Sequence, residues 1–311
     1  MNQLCALCGA DHPGVQCPKL KVTDNPADLT PVENRNGRLY KREDLFRFEN
    51  GVNGSKLRAC HYLVSKALWS GATTIVSAAS VLSPQSAMAA TIANRLGMDS
   101  ITVVGGTTPE KAVRHRSIRM AEEMGSFITS IKVGYNPALQ SEGRRIASET
   151  PGGWQLPYGI TTPPDAPEQD VRDFVMVGAT QVVNLPDEVK TLVLPFGSGN
   201  TAMGVLYGLI AFGAPASLER IVLMTIGPDR RMWLEDRMRM LGWDTKELPL
   251  EQIHLHPNFA TYGDRMPETD DDIVFHPTYE GKIIRYLNGM EPEWWRRDDQ
   301  TLLWVVGGPL P

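Results

Sequence analysis

A single lysine, Lys56, stands behind two asparagines, two glycines and a serine in NGVNGSKLRAC (residues 50–60), at the mouth of a stretch that reads as helix. The backbone dipole disfavours a cation at that end of a helix. A solvated surface lysine is the ordinary state of this residue and would be indifferent to the setting. An amine that works as a nucleophile near neutral pH needs such a setting, partly desolvated and without a strong ion pair. A second pattern is LVLPFGSGNTAMG, in which an apolar strand runs into Gly197, Ser198, Gly199, Asn200 and Thr201 and a helix follows at once. Glycines let the chain turn tightly, so that successive N–H groups and the helix N-terminus converge on a phosphate. The loop is not a nucleotide P-loop, because no lysine follows its second glycine, and it lacks the spaced glycines of a dinucleotide fingerprint. Alone it is also compatible with a plain strand-to-helix turn. A phosphate cradle together with a poised lysine points to pyridoxal 5′-phosphate, a cofactor whose electronics the protein tunes.

A third cluster lies at the start of the chain. Cys5, Cys8, His12 and Cys17 fall within thirteen residues in the order Cys-x2-Cys-x3-His-x4-Cys. Three thiolates and an imidazole are a closed tetrahedral set for structural zinc. The spacing resembles a zinc knuckle with one residue removed before the histidine. Knuckles contact single-stranded nucleic acid or protein; the alternative is a tail with incidental cysteines. Cys60, on the helix after Lys56, reads as core.

The elements that must position these groups follow a regular alternation. TTIVSAA (73–79) reads as a buried strand, SPQSAMAATIANRLGM (83–98) as a helix capped by Ser83 and ended by Gly97, and SITVVGG (100–106) as a strand. A single helix is expected over 109–125 and a strand over 127–133. After a Pro/Gly-rich loop (150–169), helix, strand, helix and strand resume through FVMVGATQVVNL, 191–197, 200–213 and 220–227. Short links in this order predict α/β lobes built on parallel, doubly wound sheets.

The chain has 311 residues, 42% hydrophobic and 22% charged, with a formal net charge of −5. That balance excludes a general nucleic-acid sponge and leaves only local patches for such contacts. No apolar run approaches a membrane span and no signal-peptide pattern opens the chain, so a cytoplasmic protein is expected.

Five motifs resemble those of the tryptophan-synthase-β-like (fold type II) pyridoxal-phosphate enzymes, nearest to the branch of aminocyclopropane-carboxylate deaminases and D-cysteine desulfhydrases. They are LTPVENRNGRLYKREDLFRFENGVNGSKLR (29–58), SPQSAMAATIANRLGM, FGSGNTAMG, HPTYEGKII (276–284) and LLWVVGGPLP (302–311), and they occur in the family's order from about residue 28 onward. The resemblance implies two open, mostly parallel twisted sheets flanked by helices. It implies a large cofactor domain (26–60 with 150–311), a small domain (61–149) and an appended module (1–25). It implies that Lys56 holds the cofactor through an imine and that residues 197–201 hold its phosphate. Ser83, Gln85 and Ser86 would face the substrate carboxylate, with Ser83 or Lys56 moving protons. Tyr262 would line the substrate pocket, and Asp271 would be the acid beside the pyridine nitrogen. The family's asparagine after Ser83 is replaced by Pro84, which has no donor, and the arginine expected soon after is Ala87.

The first reading is therefore a lyase- or deaminase-like enzyme that forms an imine with an amino acid, removes its α-proton, and proceeds to elimination, replacement or deamination. A second keeps the cofactor but acts on nucleic acid, modifying a base with an amino-acid-derived group after recruitment through the zinc module. A third is a catalytically retired binding protein. A homodimer is expected from the resemblance. Arg114, His115, Arg116 and Arg119 read as a solvated basic helix face that could meet phosphate, His254 and His256 as structural, and EWWRR (293–297) as packing.

Overall fold

The computed structural model describes residues 25–310 apart from 164, 256, 257, 262, 271 and 299. Among the described residues two compact units are formed: the first takes 25–47, Asn53–Ser55 and Pro167–Pro309, the second Phe48–Val52, Lys56–Ala166 and Leu310. The fold is α/β, with parallel sheets flanked by helices.

The sheet of the first unit begins with a hairpin, β1 (Val32–Arg35) and β2 (Arg38–Arg42), closed by Asn36-Gly37, both at positive φ as a tight hairpin turn requires. To it are added β7 (Thr191–Phe196), β8 (Arg220–Thr225), β9 (Leu250–His254) and β12 (Thr301–Val305), in the order β1-β2-β12-β7-β8-β9. All pairs but the hairpin are parallel. Strands β7 and β12 are buried throughout, which is why both read as continuous apolar runs. A core of Tyr40, Val193, Val222, Met224, Phe275, Ile283 and Leu303 fills one face. The helices of this unit are α6 (Glu168–Ala179), α7 (Asn200–Phe212), α8 (Arg231–Met240) and α9 (Glu280–Met290). A short ribbon, β10 (Thr269–Asp270) with β11 (Ile273–Val274), precedes α9.

The second unit holds a fully parallel four-stranded sheet of order β5-β4-β3-β6, from β3 (Thr74–Ala78), β4 (Asp99–Gly105), β5 (Phe127–Ile131) and β6 (Gly153–Leu156). Its helices are the residues of α1 (Ser55–Trp69) beyond Ser55, then α2 (Gln85–Arg95), α3 (Pro109–Ala112), α4 (Arg116–Glu123) and α5 (Asn136–Glu149). Val76, Ala78, Val103 and Leu139 form its centre. Two expectations are corrected here. The helix expected over 109–125 is two helices, broken at 113–115, because burying Ala112 and Ile118 against Val104 demands a change of direction between them. The stretch 150–169 is not all loop, since Gly153–Leu156 pairs with β3. No helix among the described residues is long and apolar enough to cross a membrane.

Candidate active site

In open parallel sheets the ligand crevice lies beyond the carboxyl ends of the strands, where the strand order reverses. The first unit reverses between β7 and β12, whose carboxyl ends lead into residues 197–201 and 306–308. There Gly199 takes φ 90° and starts α7. A Cβ on Gly199 would stand 2.5 Å from the Trp233 ring, so both its conformation and its surroundings require glycine. The first turn of α7 leaves its leading N–H groups without intrahelical partners, which suits an anion.

Ser55 joins both sides of this reversal. Its Oγ is 2.9 Å from Thr201 Oγ1, and its backbone N–H donates to the carbonyl of Val306 at 2.8 Å. Gly54, at φ 95°, lets the chain pass so close to Val306 that a Cβ would sit 2.4 Å from that carbonyl. Asn53 Oδ1 accepts from Gly308 N–H at 2.7 Å. The run that reads as punctuation in the sequence is thus a set of clamps on the ends of β7 and β12. Lys56 follows Ser55 by one peptide bond, is partly buried, and is the second residue of α1.

The same corner holds an acid that the sequence reading passed over. Glu280 is fully buried, and its Oε1 accepts from Val306 N–H at 2.6 Å. Burial pushes its carboxyl up to about 8, with Asp44 adding to the rise and the backbone N–H groups of Val306 and Gly307 opposing it. Its Oε2 is buried with no hydrogen-bond partner among the described residues. A protonated carboxyl with a buried, unengaged oxygen fits a heterocyclic nitrogen, and the loop at 197–201 fits a phosphate, so the donor set suits pyridoxal phosphate. The available signal was Glu280 itself, the one acid in HPTYEGKII. Asp271 and Tyr262 lie outside the described residues, so the acid and the pocket tyrosine expected there have no structural account.

The second unit reverses between β3 and β6. Beyond β3 come Ser83 and α2, and beyond β6 comes Gly159. Gln85 ties them together, its Oε1 accepting from Gly159 N–H at 2.9 Å. Ile160, next in the chain, is 1% exposed and held at φ 57°, a strained conformation for a β-branched residue. Ser83 Oγ accepts from Gln85 N–H at 3.2 Å, which leaves its own proton available, and its carbonyl accepts from Ser117 Oγ at 2.5 Å. Pro84 occupies the cap position of α2. Inside this corner Ser77 Oγ, Gln85 Nε2 and Ser86 Oγ are buried without partners among the described residues. Such atoms are few in native proteins and mark places where a ligand or water is expected.

The zinc set, Cys5, Cys8, His12 and Cys17, lies outside the described residues, and among the described residues no group of His, Cys, Asp and Glu is placed to hold a metal. Cys60 is buried, as expected, and burial pushes its thiol far up, which makes it inert.

No family model matches the chain. The O-seryl-dTMP PLP-dependent decarboxylase of Salmonella phage ViI is 28% identical, with 91% of this chain and 81% of that protein covered. The 1-aminocyclopropane-1-carboxylate deaminase of Methylobacterium sp. (strain 4-46) is 26% identical, with 85% and 86% covered. Among solved structures, an ACC deaminase homologue superposes with a TM-score of 0.68 at 21% identity, over 91% of this chain and 90% of the other. The apo form of Escherichia coli diaminopropionate ammonia lyase gives 0.59 at 14% identity, over 90% and 83%. With its two reversal points, its glycine loop and these neighbours, the chain has the tryptophan-synthase-β-like fold of the fold type II pyridoxal-phosphate enzymes.

Proposed function

We propose that the protein is a pyridoxal-phosphate-dependent enzyme of the lyase class that acts at the α-carbon of an amino acid. The observation that carries this reading is Ser55, which bonds the glycine loop at Thr201 and the β12 end at Val306 while fixing the chain one residue before Lys56. Bound cofactor supplies an aldehyde for the amine and a ring that takes up electron density from the α-carbon. Residues 197–201 and the first turn of α7 would hold its phosphate. Lys56 Nζ would hold its aldehyde carbon and would take or return the proton at the substrate Cα. Glu280 Oε2 would share its proton with the ring nitrogen, the role that the family resemblance implied for Asp271. Ser86 Oγ and Gln85 Nε2 engage the substrate carboxylate. The test is the visible absorption spectrum of the purified protein with pyridoxal phosphate, beside Lys56→Ala. An imine band present only in the lysine form supports the reading; its absence from both sinks it.

A narrower reading concerns the substrate. The chain matches a decarboxylase of a serine-bearing thymine nucleotide over nearly its whole length. In it, Pro84 replaces the family asparagine that would bond the cofactor ring oxygen, and Ala87 replaces the arginine expected soon after, so the substrate loop is not the usual one. These two observations support an amino acid carried on a nucleotide, with loss of the α-carboxylate, over deamination of a free amino acid. This is the nucleic-acid-related alternative of the sequence reading in a monomeric form. Carbon dioxide release from O-seryl-dTMP, measured beside ammonia release from serine and 1-aminocyclopropane-1-carboxylate, separates the two. Ammonia from the free amino acids with no carbon dioxide from the nucleotide would return the substrate to the first reading. The zinc module and a homodimer stay as proposals, tested by metal analysis and sedimentation of the full chain.

A further inference from the structure

The EWWRR stretch packs only in part. Trp294 and Trp295 join the core of the first unit, whereas Arg296 is exposed and lines a cavity of about 410 Å3 with Arg38, Asn288, Glu291, Pro292 and Trp295. All six residues belong to the first unit. Arg38 opens β2, Asn288 and Glu291 stand at the end of α9, and Arg296 precedes β12, so the cavity lies at the amino ends of β2 and β12. The five residues of β12 put ~16 Å between this end of the sheet and Val306 at the other. A cavity of this volume is of small-molecule size.

Its lining is built for charge of both signs. Arg38 is 4% exposed; its guanidinium lies 3.6 Å over the Trp295 ring, Nη2 donates to the Trp295 carbonyl at 3.0 Å, and Nη1 donates to Asp270 Oδ2 at 2.9 Å. The Asp270 carboxylate also accepts from Tyr40 and Arg297, so Arg38 holds only a share of it. Arg38 Nε is buried with no partner among the described residues. A buried cation with a shared counter-ion favours a further anion beside it. Asn288 Oδ1 accepts from Trp295 Nε1 at 2.9 Å, which leaves the amide Nδ2 as a donor. Glu291 ends α9 at φ 44°, a left-handed position that helices usually give to glycine or asparagine. The strain is tolerated where it keeps a carboxylate on the cavity wall, at the helix end whose dipole attracts a cation.

We propose that this cavity binds an amino acid, at a site separate from the crevice at the carboxyl ends of the strands. The ligand carboxylate meets Arg38, Arg296 and Asn288 Nδ2, its ammonium meets Glu291, and an apolar side chain lies against Pro292 and Trp295. A simple anion would be repelled by Glu291 and a simple cation by the two guanidiniums, whereas a zwitterion answers both. The inference does not depend on the reaction proposed above.

The experiment uses the full-length protein loaded with pyridoxal phosphate, the variants Glu291→Gly and Arg296→Gln, and L-norvaline as the probe. Titration calorimetry of the parent shows a binding step that each variant weakens at least tenfold. Butylamine, which lacks the carboxylate, and pentanoate, which lacks the ammonium, bind the parent at least tenfold more weakly than L-norvaline. Glycine at 291 relieves the left-handed strain, so the urea midpoint of that variant holds or rises while its binding falls, which a merely structural role for Glu291 would not produce. Arg296 is exposed, so Arg296→Gln tests the carboxylate end without disturbing the core. No binding step in the parent, or a step equal in all three proteins, overturns the site. Pentanoate that binds the parent as tightly as L-norvaline overturns the choice of a zwitterion.

Discussion

The helix N-termini at the two strand reversals, α7 in the first unit and α2 in the second, are built in opposite ways. Around α7 the polar groups satisfy one another: Ser55 with Thr201 and Val306, Asn53 with Gly308, Glu280 with Val306. Glu280 Oε2 is the buried side-chain oxygen left over there among the described residues. Around α2 the protein buries Ser77 Oγ, Gln85 Nε2 and Ser86 Oγ without partners and holds Ile160 in a strained conformation. Each unsatisfied buried polar atom costs about 1–3 kcal/mol in the absence of a partner. A corner that lacks only the partner of Glu280 Oε2 suits a resident cofactor held through every turnover. A corner that is incomplete suits a substrate that comes and goes, because the ligand then supplies the missing hydrogen bonds.

The largest test of this contrast is Lys56→Ala. Activity is expected to fall roughly 10³-fold or more while phosphate-loop binding of the cofactor persists, measurable as retained cofactor without an imine band. Loss of cofactor together with the band would mean that the α7 corner is not self-sufficient. Next come two glycines with similar φ. Gly54→Ala forces a contact at 2.4 Å on Val306 and is expected to cost about 3 kcal/mol or more, with loss of cofactor. Gly71→Ala meets nothing within 4 Å and is expected to cost only about 1 kcal/mol, with activity intact. Urea denaturation of both reads the difference, and equal costs would break the clamp argument.

Glu280 gives a pH test. Its carboxyl is raised from an ordinary 4.5 to about 8, so the folded chain keeps a proton that the unfolded chain releases in that interval. Stability of the cofactor-free protein therefore falls as pH rises from about 4.5 to 8, by up to ~1.4 kcal/mol per pH unit from this group. Glu280→Gln is expected to flatten that slope in denaturation profiles; an unchanged slope would deny that the carboxyl is buried in its protonated form. The smallest effect belongs to the α2 corner. Ser86→Ala removes a buried hydroxyl with no partner, so the free protein is expected to gain about 1 kcal/mol while KM for substrate rises several-fold. A loss of stability with unchanged KM would show that Ser86 is satisfied within the protein and has no role toward substrate.

Much of the frame was readable from the chain. The runs at 73–79, 100–106, 191–197 and 220–227 fall on β3, β4, β7 and β8, because strands buried on both faces carry unbroken apolar sequence. The glycine loop and the helix behind Lys56 were legible from local turn and cap chemistry. What escaped was set by distant partners. Strand β6 has no strand pattern of its own and exists because β3 offers it an edge. The helix over 109–125 has unbroken helical spacing, yet breaks where both halves must reach the core. Glu280 is an ordinary glutamate by sequence and an acid held near neutrality only because Val306 and the surrounding core enclose it.

Composition, periodicity and turn residues thus determined the α/β class, the helix behind Lys56 and the glycine turn at 197–201, since each depends on neighbours a few residues away. The tertiary structure alone decided which polar atoms are satisfied, which acid keeps its proton, and that Arg38, Glu291 and Trp295 line one cavity. Those properties arise from desolvation and from hydrogen bonds between residues far apart in the chain, and no local pattern encodes them.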